Sequence, residues 1–295
     1  MAELEIDPVV KGQRVEIRPG RVLSLAHRPS ENPGASTVFF AHGGGGNKDQ
    51  WREQWRDPRL AGHHLVAWDL LGHGVSDRPR NAAAYAWDEL VADQLAILRR
   101  FAGPRNILAA HSFGTALTLS ALERLAVEQH PPSVDGVLLL GTQLQPPIRS
   151  NLLKLPAWAL ELIRPLLAKG FREAAWHPDT DPALVAYEEA LTERNALHVF
   201  KALISQNRWV PESLPNIDVP VHILAGKADR ITRPEGGRAL HEKLEGSQFG
   251  VLEQAGHQLM LETPEQVTAH LLALLQEALP DSGVTSGDRT GVSIQ

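Results

Sequence analysis

The chain has 295 residues, a hydrophobic share of 43% and a formal net charge of −6, which is enough length for one α/β domain with an insertion. Its mild acidity argues against nucleic-acid binding. The lack of cysteine excludes disulfides and thiol chemistry. No apolar run approaches the ~20 residues of a membrane span. Because its first residues are acidic, unlike a secretory signal, we expect a cytoplasmic protein without stable membrane insertion, and the sequence defines no oligomeric state.

The first elements predict a wound α/β sheet. Residues 14–27 alternate in polarity about Pro19-Gly20, which is typical of a hairpin. Residues 37–41 form an apolar strand that ends in a loop with four consecutive glycines at 43–46. Because glycine has no Cβ, the backbone of this loop can approach a ligand closely. A loop that is merely flexible is the alternative interpretation.

A single serine stands between the next strand and helix. Residues 106–110 are a compact apolar run, and the apolar spacing of residues 113–127 predicts a helix. Ser112 lies between them, with Ala110 two residues before it and Gly114 two residues after it. Such flanking small residues are typical of a nucleophile elbow, a sharp turn that exposes the hydroxyl. A helix N-cap is the alternative interpretation of this serine.

The alternation of strands and helices stops after residue 142. Residues 143–216 carry only helical patterns, so we expect an inserted helical cap over the strand ends. Residues 1–142 and 217–280 would then form the core. The polar, glycine-rich residues 281–295 are predicted to be a flexible tail.

Two later strands, at residues 219–225 and 249–253, are followed by Asp229 and His257. The chain order serine, aspartate, histidine, each just beyond a strand, is the order of a catalytic triad on this kind of sheet. Asp69 and Asp77 are rival acids. Both precede Ser112 and lie in a glycine-rich turn, where aspartate commonly makes local hydrogen bonds.

Four motifs resemble those of the α/β-hydrolase superfamily. They are His42-Gly43 with its glycines, Asp-Leu-Leu-Gly-His-Gly-Val-Ser-Asp at 69–77, His111-Ser112-Phe113-Gly114, and Gly256-His257. The resemblance implies the α/β-hydrolase fold, with a mostly parallel eight-stranded sheet flanked by helices and an inserted all-helical cap. Residues 168–172 and 195–212 of the predicted cap are similar to abhydrolase-domain proteins. The resemblance implies a fold and a triad, and it implies no substrate.

In this interpretation Ser112 attacks a carbonyl carbon, His257 transfers the proton, and Asp229 orients the imidazole. The oxyanion would be held by the backbone N–H of Phe113 and one from the glycine loop. We expect that second donor to be Gly44, with Gly43 as the second choice.

Four side chains, His42, His111, Trp158 and Trp209, are candidates for the substrate pocket. Aromatic residues in the cap favour an apolar substrate, because pocket walls are usually apolar; alternatively, they only pack the cap onto the core. His42 and His73 are interpreted as structural rather than catalytic. The glycine runs match neither a dinucleotide fingerprint nor a phosphate loop, and metal-ligand spacing is absent, so we expect no cofactor and no metal.

The sequence therefore predicts a cofactor-free serine hydrolase that cleaves a carboxylic ester or related acyl bond of a small-molecule substrate through an acyl-enzyme. Two alternatives stay open. The same triad can hydrolyse a carbon–carbon bond in a ring-cleavage product. A binding or scaffold protein could instead keep the fold without the chemistry.

Overall fold

The computed structural model of the protein describes residues 7–142, 169–205 and 217–278. Its strands are β1 (Gln13–Arg18), β2 (Arg21–Arg28), β3 (Thr37–Ala41), β4 (His64–Trp68), β5 (Asn106–His111), β6 (Gly136–Leu140), β7 (Val221–Gly226) and β8 (Gln248–Leu252). Its described α-helices are α1 (Arg52–Arg56), α2 (Trp87–Phe101), α3 (Phe113–Leu125), α4 (169–175), α5 (Pro182–Glu193), α6 (Leu197–Ser205), α7 (Pro234–His241), α8 (Leu259–Glu262) and α9 (Pro264–Glu277). Short 3₁₀ turns cover Lys48–Trp51, Pro58–Leu60 and Ala82–Tyr85.

The strands form one eight-stranded sheet in the order β1-β2-β4-β3-β5-β6-β7-β8. Strand β2 is antiparallel to both of its neighbours, and the other neighbouring strands are parallel. The hairpin between β1 and β2 turns at Gly20, whose φ of 71° suits a residue without a Cβ. This architecture confirms the predicted hairpin and the predicted mostly parallel α/β sheet.

Apolar side chains cover both faces of the sheet. Successive strand residues point to opposite faces, so Phe39 joins the core formed with α2 and α3, and Phe40 joins the core that includes α9. In β5, Leu108 likewise joins the core with Phe39, and Ala109 joins the core with Phe40. Because both faces are buried, the central strands are mostly apolar and do not alternate regularly with polar residues.

The order of the strands fixes where a site can form. Strand β3 pairs with β4 on one side and with β5 on the other. The direction in which successive strands are added to the sheet therefore reverses between β3 and β5. Ala41 and Ala110 are paired across these two strands, so the strands end side by side. Open α/β sheets bind ligands in the crevice at such a reversal. The loops after β7 and β8 leave the same edge of the sheet.

The predicted helical insertion is described in part. Between residues 143 and 216 the structure describes α4, α5 and α6. Trp158, Trp209 and the predicted tail at 281–295 lie outside the described residues. The proposed boundaries of core, cap and tail therefore stay predictions.

Candidate active site

Ser112 occupies a strained turn at the end of β5. Its backbone has φ 50° and ψ −116°, and it is the only non-glycine residue with positive φ in the described ranges. A Cβ on Gly114 would lie 2.7 Å from the His42 carbonyl oxygen, so only glycine lets α3 approach the β3 loop this closely. Ser112 stands at the N-cap position of α3, but its side chain makes no capping hydrogen bond, so its hydroxyl does not cap the helix.

The predicted triad residues lie within hydrogen-bond distance of one another. His257 Nε2 is 3.0 Å from Ser112 Oγ, and His257 Nδ1 is 2.8 Å from Asp229 Oδ2. Since a carboxylate only accepts, Nδ1 carries the hydrogen and Nε2 accepts from the serine hydroxyl. The sequence contains thirteen histidines, and the fold brings the predicted one to Ser112.

Thr232 donates two hydrogen bonds to the Asp229 carboxylate. Its hydroxyl donates to Asp229 Oδ2 at 2.6 Å, and its N–H donates to Asp229 Oδ1 at 2.9 Å. Burial alone would raise the pKa of Asp229, but the charge of His257 and the hydrogen bonds from His257 and Thr232 outweigh it and lower that pKa. The resulting stabilisation is present above the ordinary carboxyl pKa and is lost as the pH falls through the lowered one.

The glycine loop after β3 lies against Ser112. A Cβ on Gly43 would come 3.1 Å from the Ser112 Cβ, and one on Gly44 would come 3.4 Å from the Phe113 Cβ. The Gly43 N–H donates to Gln50 Oε1 at 3.3 Å. Within the described residues the Gly44 N–H has no acceptor, which favours Gly44 over Gly43 as an oxyanion donor.

His42 and His73 are buried, and both hold backbone near the glycine loop. His42 Nε2 accepts from the Leu70 N–H at 2.9 Å, and His73 Nε2 accepts from the Gly45 N–H at 3.1 Å. Their Nδ1 atoms face the carbonyls of Gly43 and Leu71. Each ring therefore carries its hydrogen on Nδ1 and is neutral. Burial lowers the pKa of His42 to about 4 and that of His73 to about 3.

We expect these two rings to make the fold labile in mild acid. The unfolded chain takes up protons on them near pH 6.5, whereas the folded chain does not until about pH 4 or 3, so stability falls as the pH is lowered through this window. Each ring contributes up to about 1.4 kcal/mol per pH unit. Urea unfolding at pH 7, 6 and 5 measures the slope, which His73→Gln should reduce. The exposed His130→Asn is the matched control, and an unchanged slope in His73→Gln would contradict the assignment.

His111 contacts His257 of the predicted triad. Its Nε2 donates to the His257 carbonyl oxygen at 2.8 Å, and the two ring centroids are 4.6 Å apart. Burial, followed by the charge of His257, holds the pKa of His111 well below its ordinary value. The buried ring supports the His257 backbone, and its place in a substrate pocket, like that of His42, stays a prediction.

The rival acids have other partners. Asp69 forms a buried ion pair with Lys48 at 2.9 Å and accepts the Lys48 and Val75 N–H groups. Asp77 pairs with Arg14 at the surface. The bond from the Val75 N–H to Asp69 is local, as expected for aspartate in a glycine-rich turn, whereas the Asp77 side chain pairs with a residue 63 positions away.

Polar contacts join the described part of the predicted cap to loops near the candidate site. The Asn195 side chain donates to the Gly45 carbonyl at 2.5 Å. On α5, the buried Glu188 pairs with Arg52 at 2.5 Å. Because Arg52 follows the 3₁₀ turn after the glycine loop, these contacts join residues 188–195 to the glycine loop and the turn that follows it.

No helix within residues 7–142, 169–205 or 217–278 combines the length and the apolar character needed to cross a membrane. In the same described ranges, no three His, Asp or Glu side chains come together in an arrangement able to hold a metal ion.

Comparison with known proteins identifies the family. Residues 38–270 match the model of the alpha/beta hydrolase family, and the chain belongs to that family. Protein ABHD8 of Mus musculus is 31% identical over 258 residues, which cover 83% of this chain and 56% of that protein. The chain thus spans about half the length of the ABHD8 proteins that it matches.

Solved structures share the fold. A putative aryl esterase from Burkholderia cenocepacia superposes with a TM-score of 0.77 at 22% identity, covering 91% of this chain and 99% of the esterase. The esterase from Exiguobacterium antarcticum gives a TM-score of 0.73 at 22% identity, covering 90% and 98%. At this identity the likeness concerns the fold, and it confirms the predicted α/β-hydrolase architecture.

Several supporting residues were not predicted from the sequence. Thr232, Gln50 and Glu262 hold the predicted triad residues or their loops through hydrogen bonds. Thr232 had a usable signal, since it follows Asp229 by three residues and can bond back to it. Gln50 and Glu262 had none for their bonds to Gln258 and His177, because these partners become neighbours only after folding.

Proposed function

We propose that the protein is a serine hydrolase that cleaves a carboxylic ester or related acyl bond of a small, apolar substrate. The observation that carries this proposal is the continuous hydrogen-bond chain from Ser112 through His257 to Asp229. A neutral imidazole with its lone pair toward the serine is the arrangement that a general base requires. The names of the esterases that share the fold are consistent with this class of substrate.

In the proposed reaction, Ser112 Oγ attacks the carbonyl carbon while His257 Nε2 takes its proton. The backbone N–H groups of Gly44 and Phe113 stabilise the negative oxygen. His257 then protonates the leaving alcohol, which departs and leaves an acyl-enzyme. Water attacks the acyl carbon by the same proton transfers, so acid is released and Ser112 regains its hydrogen. Asp229 stabilises the imidazolium in both halves.

The proposal is tested by treating the intact protein with a fluorophosphonate and locating adducts by mass spectrometry. We expect a single adduct on Ser112, because only an activated serine attacks phosphorus readily. The adduct should be lost in His257→Ala. Well-folded wild-type protein without an adduct would contradict a serine hydrolase and favour a binding protein that keeps the fold.

Substrate assays then separate the proposed ester chemistry from the carbon–carbon alternative. Short-chain activated esters should be hydrolysed, and a dienoate ring-cleavage product should not. Turnover of the dienoate alone would contradict the ester assignment while retaining the serine mechanism. The cytoplasmic location and the absence of nucleic-acid partners and cofactors remain predictions from the sequence.

A further inference from the structure

Glu262, the last residue of α8, accepts four hydrogen bonds through one carboxylate. Oε1 accepts from the His177 N–H at 2.7 Å and from the Thr180 hydroxyl at 2.6 Å. Oε2 accepts from the Gly256 N–H at 2.9 Å and from the Gln258 N–H at 3.1 Å. Each oxygen has two lone pairs, so the carboxylate uses its full accepting capacity.

The two oxygens serve different parts of the chain. Oε1 binds the segment that follows α4, which belongs to the predicted cap. Oε2 binds the residues immediately before and after His257. A single side chain therefore joins the cap to the loop that carries the proposed general base.

Backbone contacts also join this part of the predicted cap to the loops of the site. The His257 N–H donates to the Ala175 carbonyl at 2.5 Å, and the Arg230 N–H donates to the Ala174 carbonyl at 3.0 Å. A Cβ on Gly256 would lie 2.5 Å from the Ala175 oxygen. Residues 174–180 therefore contact the loops of both the proposed base and the proposed acid.

We propose that Glu262 is a positioning residue that fixes the His257 loop against residues 177–180 and thereby holds His257 Nε2 at Ser112. Its effect on catalysis rests on the proposed function, whereas its effect on the two segments does not. Glu262 touches no reacting atom, so it acts through the loop. This segment of the predicted cap accordingly helps to assemble the site.

The variant Glu262→Gln tests this role with little change in shape. An amide has one accepting oxygen, and its NH₂ group would face either the two cap donors or the two loop donors. The glutamine NH₂ group would then face hydrogen-bond donors, so either the connection to residues 177–180 or the connection to the His257 loop would be lost. Glu265→Gln is the matched control, because it removes the same charge from an exposed residue nearby whose partner is Arg59.

The first readout is amide hydrogen exchange of the full chain, followed by mass spectrometry. In Glu262→Gln we expect faster exchange in both residues 174–180 and residues 254–258, with no change in Glu265→Gln. Thr180→Val is the second variant. This substitution removes one donor to Glu262 Oε1, and Thr180 itself makes no hydrogen bond to the His257 loop. Faster exchange at 254–258 is still expected, because the same carboxylate binds that loop through Oε2. Exchange at 254–258 that stays at the wild-type rate in both variants would overturn the proposal.

The second readout is hydrolysis of an activated ester. A displacement of the base by about 1 Å costs about 10²-fold in rate, so we expect Glu262→Gln to lose 10- to 100-fold in kcat with KM within about threefold. A kcat within twofold of wild type would overturn the positioning role. Wild-type protein without turnover or a phosphonate adduct would instead refute the proposed function, and hydrogen exchange would still decide whether Glu262 joins the two segments.

Discussion

Replacing Ser112 with alanine is expected to lower kcat by about 10⁶, because the proposed nucleophile is removed while the fold and the proposed oxyanion donors stay in place. The alanine keeps a Cβ at the strained φ of 50°, so stability should change little. KM should stay near the wild-type value, since the hydroxyl contributes to the transition state rather than to ground-state binding. Initial rates with a short-chain activated ester measure the effect.

Ser120→Ala provides the control for this variant. Ser120 lies in the same helix, and its hydroxyl accepts from the Trp87 indole N–H at 3.1 Å. Removing it leaves the indole N–H unpaired and should cost about 1–3 kcal/mol of stability with kcat unchanged. Hydrolysis by Ser112→Ala at the wild-type rate would mean that another group performs the reaction, and the serine mechanism would be abandoned.

The sheet and the order of the site residues could be predicted because they depend on local patterns. An apolar run followed by a small or polar residue at a turn marks the end of a buried strand, and parallel strands bring such ends to one edge. Ser112, Asp229 and His257 each follow such a run. The strand ends themselves were displaced by one or two residues, as for β7, where the predicted 219–225 is Val221–Gly226.

The sequence predicted Gly44 ahead of Gly43 as the second oxyanion donor, but it supplied no contact that separates them. In the structure, the hydrogen bond from the Gly43 N–H to Gln50 supports that order. Gln50 in turn binds Gln258, a residue 208 positions away, so no local pattern could have revealed this link. Supporting contacts of this kind depend on tertiary distances rather than on propensity.

The role of the buried histidines was also only partly accessible. His42 and His73 were interpreted from the sequence as structural, and their neutral state follows from the two backbone N–H groups that they accept. His111 was predicted as a candidate pocket residue. The structure places its ring against the His257 backbone, where it is buried.

Replacing Asp229 with asparagine is expected to lower kcat by about 10⁴. The amide NH₂ would face His257 Nδ1, which would then accept and carry no hydrogen. The hydrogen would move to Nε2, so the ring could no longer take the proton of Ser112. The N–H groups of Ile231 and Thr232 would still donate to the amide oxygen at the Oδ1 position, so the loss would come from the wrong tautomer rather than from a displaced loop.

Asp135→Asn is the matched control for this substitution. Asp135 precedes β6 at the opposite edge of the sheet and accepts the Asn106 N–H at 2.8 Å, a bond that an amide oxygen can replace. We expect its kcat to remain within twofold of wild type. The loss in Asp229→Asn should appear both in ester hydrolysis and in the rate of phosphonate labelling, since both need the same base. A kcat above one tenth of wild type would exclude Asp229 as the acid, because the imidazole would then be oriented by another group.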